Sequence, residues 1–437
     1  MIRSFFVSIL ILIGTYYALQ GPFYGLLFYI GNAYFRPEEW IWADWIRNLH
    51  LSLVSGVYVI CLTLVSGQKL LWNGRTVLLF AFLLQGLLST LFAEHSDYCW
   101  KYWVEFLKVV AVTYCMVVLV TDFARFRLVI LVMVLALGVE QGKQGWFYLV
   151  TSPGGPNTNP LPFLGDNNGI AVGMLMLSPL VGLLAQTAGS KWERYFFQFL
   201  FIGCMYRALS TYSRGGFLAG IAMGTIWWLR SQHKFRGLFV ALLVLSVILP
   251  ALPNMFWDRM HTIQTYEEEQ EESALSRIHF WAVAVDMAMA NPILGIGFNG
   301  YNKTYDGYDF SNGKYGQGRS VHSSFFGVVA ELGYMGICLY LAILLGAFGS
   351  CFQVKRLSRQ HLMEAELAKG AAALEASLVA FVVGGSFVPW QYNEMLWHVI
   401  GLSIVLQRIA TQHKWQALKT ENLLDLSSSS LRENVAA

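Results

Sequence analysis

The sequence predicts an all-α, polytopic membrane protein of about twelve transmembrane helices, with a long outer loop that contains its own helix. Three observations carry this. Hydrophobic residues make up 56% of the 437 and charged residues only 13%, about half the charged share of a soluble domain. Runs such as Val77–Phe92, Val109–Val120 and Leu128–Val139 leave no polar face for water, and each lies in a segment near the roughly 20 residues a helix needs to cross a bilayer. Strand-like alternation with a polar lumen is absent, and backbone groups in lipid must be bonded within the segment, so the spans are helices.

Candidate spans fall near residues 4–20, 21–35, 49–66, 74–93, 103–121, 126–150, 167–188, 193–209, 214–230, 236–253, 323–350, 367–388 and 394–409. The first follows Arg3 and imitates a signal peptide, but no small-x-small cleavage site follows it, which predicts an uncleaved anchor. Gly21-Pro22 breaks the first apolar stretch. Residues 4–35 then cross once as a long broken helix, the expected case, or turn back as a hairpin, which adds a crossing. Further along, "GQKLLWNGR", "DFARFR", "GSKWER", "RSQHKFR" and "QVKRLSRQH" are basic and alternate along the chain, which assigns them to the cytoplasm. The intervening "RPEEWIWADWIRN", "AEHSDYCWKYW", "TSPGGPNTNPLPFLGDNN", "STYSR", 254–322 and "VPWQYNE" then lie outside. This organisation divides the chain into an N-terminal bundle, 1–209, a second region, 210–410, and a polar tail, 411–437, expected to be disordered in the cytoplasm.

Composition also excludes partners. A net charge of +3, with no long basic run, argues against nucleic acid. Fifteen Trp fit interfacial anchoring. Cys61, Cys115, Cys204, Cys338 and Cys351 lie in or near apolar spans and Cys99 in a loop. With no CxxC and no metal-ligand spacing, they read as small core residues. No metal site and no cofactor is expected.

Chemistry could sit on the polar outer face. Within 254–322, "SALSRIHFWAVAVDMAMANP" has a Ser cap, an apolar stripe and an Asn-Pro stop. It places Arg277 in a first helical turn, after a solvated linker "YEEEQEES". Gly295, Gly297 and Gly300 then permit tight turns or close backbone approach to a ligand. "DGYDFSNGKYGQG" is polar and turn-rich but lacks calcium-loop spacing. Arg214 begins a span at the outer surface, followed by Gly215-Gly216, which would clear room around it. His322 precedes the span that returns inward. Each arginine, taken singly, could merely snorkel to headgroups. Together, two guanidinium forks suit a diphosphate, a helix N-terminus attracts anions, and a neutral histidine can take a proton from a hydroxyl. "EQGKQGWFYL" adds Glu140, Lys143 and Gln144 within an apolar span, where ionisable groups are costly, unless Lys143 snorkels. Asp166, Asn167 and Asn168 start the following span, either as a helix cap or as hydrogen-bonding groups for sugar or phosphate.

The segments "SRGGFLAG", "SRIHFWAVAVDMAMANPILGIGFNGY" and "VHSSFFGVVAELGYMG", in this order over about residues 210–350, resemble the O-antigen ligase family of Gram-negative inner membranes. That family shares a Wzy-C type domain with O-antigen polymerases. The N-terminal half is similar to exosortase-associated O-glycosylation ligases through "YFRPEEW", "EQGKQG" and "GDNNGIA". The resemblance implies a cofactor-free, metal-independent, inverting glycosyltransferase of the bacterial inner membrane. Its donor would be a glycan on undecaprenyl diphosphate, and its acceptor a sugar hydroxyl of lipid A–core at the periplasmic face. By motif, Arg214 and Arg277 would hold the diphosphate and His322 would be the base. Arg319, in the same turn as His322, is a further candidate phosphate ligand without clear family support, and Lys143 is the next. Glu331, nine residues beyond His322, would pair with a cation inside the bundle or orient the site. Competing readings are a polymerase using a second lipid-linked glycan, a ligase acting on protein, and, from a different class, a transporter or flippase.

Overall fold

The computed structural model describes residues 2–40, 49–157, 159, 163–230, 235, 268–360 and 365–436. The predicted span 236–253 and residues 254–267 of the outer loop lie outside the described residues. Among the described residues every regular element is helical. In chain order these are α1 (Ile2–Ala18), α2 (Pro22–Phe35), the short α3 (Pro37–Trp40), α4 (Leu51–Val65), α5 (Gly74–Leu91), α6 (Ser96–Leu119), α7 (Phe123–Met133), a π-turn (Val134–Gly138) and α8 (Val139–Thr151). Then come α9 (Asn167–Gln186), α10 (Lys191–Leu209), α11 (Arg214–Arg230), α12 (Glu268–Ala290), α13 (Tyr301–Tyr308), α14 (Ser324–Arg359), α15 (Ala365–Gly384) and α16 (Glu394–Ala436). Five of these, α5, α6, α9, α14 and α15, are long and apolar enough to cross a membrane, and residues 4–18 and 51–65 form shorter apolar helices. Length and composition thus carry five of the about twelve crossings expected.

The N-terminal stretch is a hairpin, not one long broken helix. Gly14 faces the Phe28 ring, Val7 and Ile11 share a buried cluster with Phe35, and the Tyr17 and Tyr24 rings meet at 6.5 Å. Pro22 starts α2 at a position that needs no N–H, so the chain reverses there and the two apolar faces cover each other.

Three other expectations change. The run "YEEEQEES" is, from Glu268 on, the start of α12 rather than a linker. Glu, Gln and Ala favour helix, and carboxylates suit its N-terminal end. Arg277 therefore stands well inside α12, not in its first turn. Cys99 is buried in the first turns of α6 rather than in a loop. The tail expected to be disordered continues α16 to Ala436; the stretch "QALKTENLLDL" is rich in helix formers.

α9 is the central helix, buried over almost its whole length and packed by α10, α11 and α15. α14, α15 and α16 pack on one another beside it. α8 sits on α10 through a glycine seam. A Cβ at Gly145 would overlap the Gly203 carbonyl, and one at Gly142 would lie 3.4 Å from the Leu200 carbonyl. "EQGKQG" is therefore largely a packing motif.

α14 breaks at Gly333 (φ 67°, ψ −170°). The break frees carbonyls that would otherwise accept within the helix, and each finds a partner. Ala330 O accepts from Ile296 N at 3.0 Å and Glu331 O from Gly297 N at 3.2 Å. Ser89 Oγ also donates to Glu331 O at 2.7 Å, and Gln85 Nε2 to Leu332 O at 3.0 Å. Gly295 (φ 72°) lies against this main chain. The close approach read from "ILGIGFNG" is thus to α14 itself.

Candidate active site

The site is assembled where three helices begin or bend. Asp166 caps α9, accepting from Gly169 N at 2.9 Å, and Asn167 is the first residue of that helix. Asn168 Oδ1 accepts from Ser213 Oγ at 2.7 Å, and the same hydroxyl accepts from Gly216 N at 3.1 Å. The start of α9 is therefore tied to the start of α11, whose first residue is the exposed Arg214. Gly215 and Gly216 do not clear space for that arginine. Their Cβ positions would fall 2.9 Å from Phe387 and 2.5 Å from Ala171, so they let α11 pack closely on its neighbours.

Arg277, half-buried on α12, faces this junction. Burial first, and then the positive charge of Arg214, hold its guanidinium below its ordinary value, while Asp166 acts the other way. Two guanidiniums and one carboxylate thus lie within charge–charge reach of one another around Arg277.

His322 occupies the turn before α14 at φ 48°. A non-glycine residue in that region costs on the order of 1–3 kcal/mol and persists where the surroundings impose it. They do so on both sides. Val321 is buried and its carbonyl accepts from Trp281 Nε1 at 3.1 Å; the Trp281 indole stacks on Phe326 at 5.2 Å. Ser323 caps α14. Ser324 N donates to Gly385 O at 2.7 Å, while its hydroxyl donates to Val388 O at 2.7 Å and accepts from Trp390 N at 2.8 Å. The His322 ring lies 6.1 Å from that of Phe280. Burial and then the charge of Arg277 lower its pKa, Asp166 opposes them, and Arg319 adds a lesser lowering effect. The imidazole is consequently neutral at pH 7 and can accept a proton.

The remaining candidates separate. Arg319 is exposed, donates to Tyr315 O, and acts on His322 through its charge. Lys143 is mostly exposed and pairs with Glu140 on its own helix. It is not among the groups whose charge acts on Arg277 or His322. Glu331 is buried and forms no ion pair among the described residues. It accepts from Gln391 Nε2 at 3.1 Å and Tyr392 OH at 2.9 Å, and from the N–H groups of Asn299 and Tyr301. It thereby ties bent α14 to the glycine-rich loop and to residues 391–392. Among the described residues no group of three or more His, Cys, Asp or Glu is arranged to hold a metal ion.

Two supports were not read from sequence. His279 Nε2 and Asp309 Oδ1 meet at 2.7 Å, both nearly buried. Burial alone would raise the Asp309 pKa, but Ser311, Gly313 and His279 together hold it below the usual range. This clasp folds the turn-rich segment back onto α12. Arg207 is fully buried and donates to Gln141 Oε1, Asn157 O and Asn159 O at 3.1, 2.8 and 2.7 Å, fixing the segment that leads to Asp166. A lone arginine within the apolar run "FIGCMYRAL" was the available signal.

The family model described as O-antigen ligase, Wzy_C, matches residues 199–341. These include Arg214, Arg277, Arg319, His322 and Glu331. No curated protein matches the chain. The matched family comprises membrane glycosyl-transfer enzymes of the O-antigen ligase and polymerase type. With α11, α12 and the turn before α14 all inside the match, residues 199–341, about a third of the chain, are similar to the O-antigen ligase family.

Proposed function

We propose that the protein is an O-antigen ligase that transfers a glycan from undecaprenyl diphosphate to a sugar hydroxyl of lipid A–core at the periplasmic face of the inner membrane. The observation that carries this reading is that Arg277 lies within charge reach of both Arg214 and His322, with Asp166 acting on Arg277 and His322 alike. The two guanidiniums bind the donor diphosphate with charge-assisted bonds. The acceptor oxygen attacks the anomeric carbon from the side opposite the diphosphate. The anomeric carbon–oxygen bond breaks, its electron pair stays on the diphosphate beside the arginines, and the acceptor proton passes to His322. The anomeric centre is inverted. Because cations supplied by the chain neutralise the leaving group, transfer should persist in excess EDTA.

The test is donor-lipid binding measured alongside transfer. His322→Ala should lose about 10²–10⁴-fold in transfer and keep donor binding. Arg214→Ala and Arg277→Ala should weaken both, and lysine should substitute poorly because it cannot present two parallel donors. Retention of full transfer by His322→Ala would falsify the base assignment. In a deletion strain, polymerised lipid-linked glycan should accumulate and lipid A should lose its long glycan. Accumulation of single repeat units would indicate a polymerase, and unglycosylated protein with normal lipopolysaccharide a protein ligase.

A further inference from the structure

A cavity of about 850 Å³ lies between α2, α4, α6 and the start of α16. Three cations, Arg36, Lys101 and Lys108, are matched in its lining by three carboxylates, Glu38, Glu105 and Glu394. Aromatic faces of Trp100, Tyr102, Phe106, Phe163 and Tyr392 stand among them. Some of this polarity is already engaged. Lys108 donates to Ser52 Oγ at 3.1 Å, Tyr29 donates to Glu394, and the Arg36 guanidinium lies 5.7 Å from the centre of the Phe163 ring. Glu38 Oε2, by contrast, is buried and lacks a hydrogen-bond partner among the described residues.

Two chain segments run from the arginine–histidine cluster into this cavity. Residues 163–169 place Phe163 in its wall and Asp166 at the cluster. Residues 388–394 carry Val388 and Trp390, both bonded to Ser324, and then Tyr392 and Glu394 in the wall. The Tyr392 hydroxyl reaches Glu331, nine residues beyond His322 and roughly 13 Å along the helix at its normal rise. None of Arg214, Arg277 and His322 lines the cavity; its wall is joined to their surroundings through Tyr392, which bonds Glu331, and through Phe163, three residues before Asp166.

Its chemistry narrows the occupant. A cavity of this volume is of ligand-binding size. A lipid chain would leave six charged groups facing hydrocarbon, at high cost. A polyanionic headgroup would meet as many carboxylates as cations. A hydroxyl-rich, uncharged sugar fits. Carboxylates accept from its O–H groups, cations donate to its oxygens, and ring faces cover its C–H surfaces.

We propose that this cavity binds the glycan of the acceptor, an uncharged oligosaccharide segment whose terminal hydroxyl is presented to His322. This rests on the transfer reading above. The test uses the full-length protein in nanodiscs. Uncharged glucose, galactose and mannose trisaccharides carrying an alkyl diazirine are photo-cross-linked, and the adducts are mapped by mass spectrometry. Sulfated counterparts and farnesyl diphosphate serve as competitors. At least one uncharged probe should mark the Trp100–Val109 segment. Marking should fall about tenfold in Glu105→Gln, the loss of one hydrogen bond to a charged group, and likewise in Trp100→Ala. Both variants should still bind farnesyl diphosphate, which shows that they are folded. Absence of marking by every uncharged probe, equal competition by the sulfated sugars, or displacement by farnesyl diphosphate overturns the assignment. Transfer is measured on the same preparations. Marking without transfer sinks the transfer reading and with it the acceptor role, whereas transfer without marking sinks the cavity assignment alone.

Discussion

The Trp281 indole donates to the Val321 carbonyl at 3.1 Å, so a side chain on α12 fixes the main chain immediately before His322. Arg277 stands one turn earlier on the same helix. The helix that presents the candidate diphosphate ligand thereby also sets the position of the candidate base.

Trp281→Phe keeps the stack on Phe326 but removes the donor. A buried carbonyl left unpaired costs about 1–3 kcal/mol, and the strained turn at His322 can then relax. Transfer should fall by about 10²-fold, the scale of a small misplacement of a reacting group, with donor affinity unchanged. Turnover and donor binding measured together check this. Equal turnover in the variant would show that the bond does not position His322.

The pH profile tests the electrostatics around His322. Only the neutral imidazole accepts a proton, so the acid limb of transfer should have its midpoint below 6.5, and the rate should be flat above it. Arg319→Gln removes a cation that lowers this pKa, so the midpoint should rise. Asp166→Asn removes the opposing carboxylate, so the midpoint should fall. Shifts of the same sign in both variants would mean that another group sets the limb.

Much of the scaffold was legible because a bilayer imposes length and apolarity on each span, and those show in sequence. The starts of α5, α9, α11 and α14 fall at or within one residue of the starts of the candidate spans. Arg214, Arg277 and His322 were legible as polar groups on one predicted face. What was not legible depends on partners distant in the chain. Nothing local in "QGP" shows that α1 folds back on α2, since the deciding contact is Gly14 with Phe28. Gly215 and Gly216 suggested open space, but Phe387 and Ala171 fill it. Glu331 left open a cation partner or an orienting role, and its partners among the described residues are neutral donors from residues 299–301 and 391–392.

Sidedness is testable by labelling. Among the six cysteines only Cys61 and Cys338 are exposed, so replacing these two with Ser gives a quiet background. Asn312, in the loop assigned outside, and Trp192, 83% exposed in the first turn of α10 within the segment assigned to the cytoplasm, then receive single cysteines. An impermeant thiol reagent, applied to cells with a permeabilised outer membrane, should mark position 312 and not 192. The inverse pattern would put the site on the cytoplasmic side.

The junction between the glycine-rich loop and bent α14 predicts a large effect from one methyl group. Gly295 has φ 72°, and a Cβ there would lie 2.5 Å from Leu332 N and closer still to the Glu331 carbonyl. The left-handed conformation costs a side chain roughly 1–2 kcal/mol. The overlap is with main chain, which cannot swing aside, and overpacking of this kind adds about 1–3 kcal/mol. Gly295→Ala should therefore lower the thermal midpoint in nanodiscs and reduce transfer, because the same loop donates to the Glu331 and Ala330 carbonyls. Gly307, on α13, has open space around its Cβ position. Gly307→Ala should be neutral or raise the midpoint slightly, since alanine is the better helix former by about 1 kcal/mol. If both variants melt with the parent, the loop does not rest on α14 as described, and its glycines are free to serve a ligand instead.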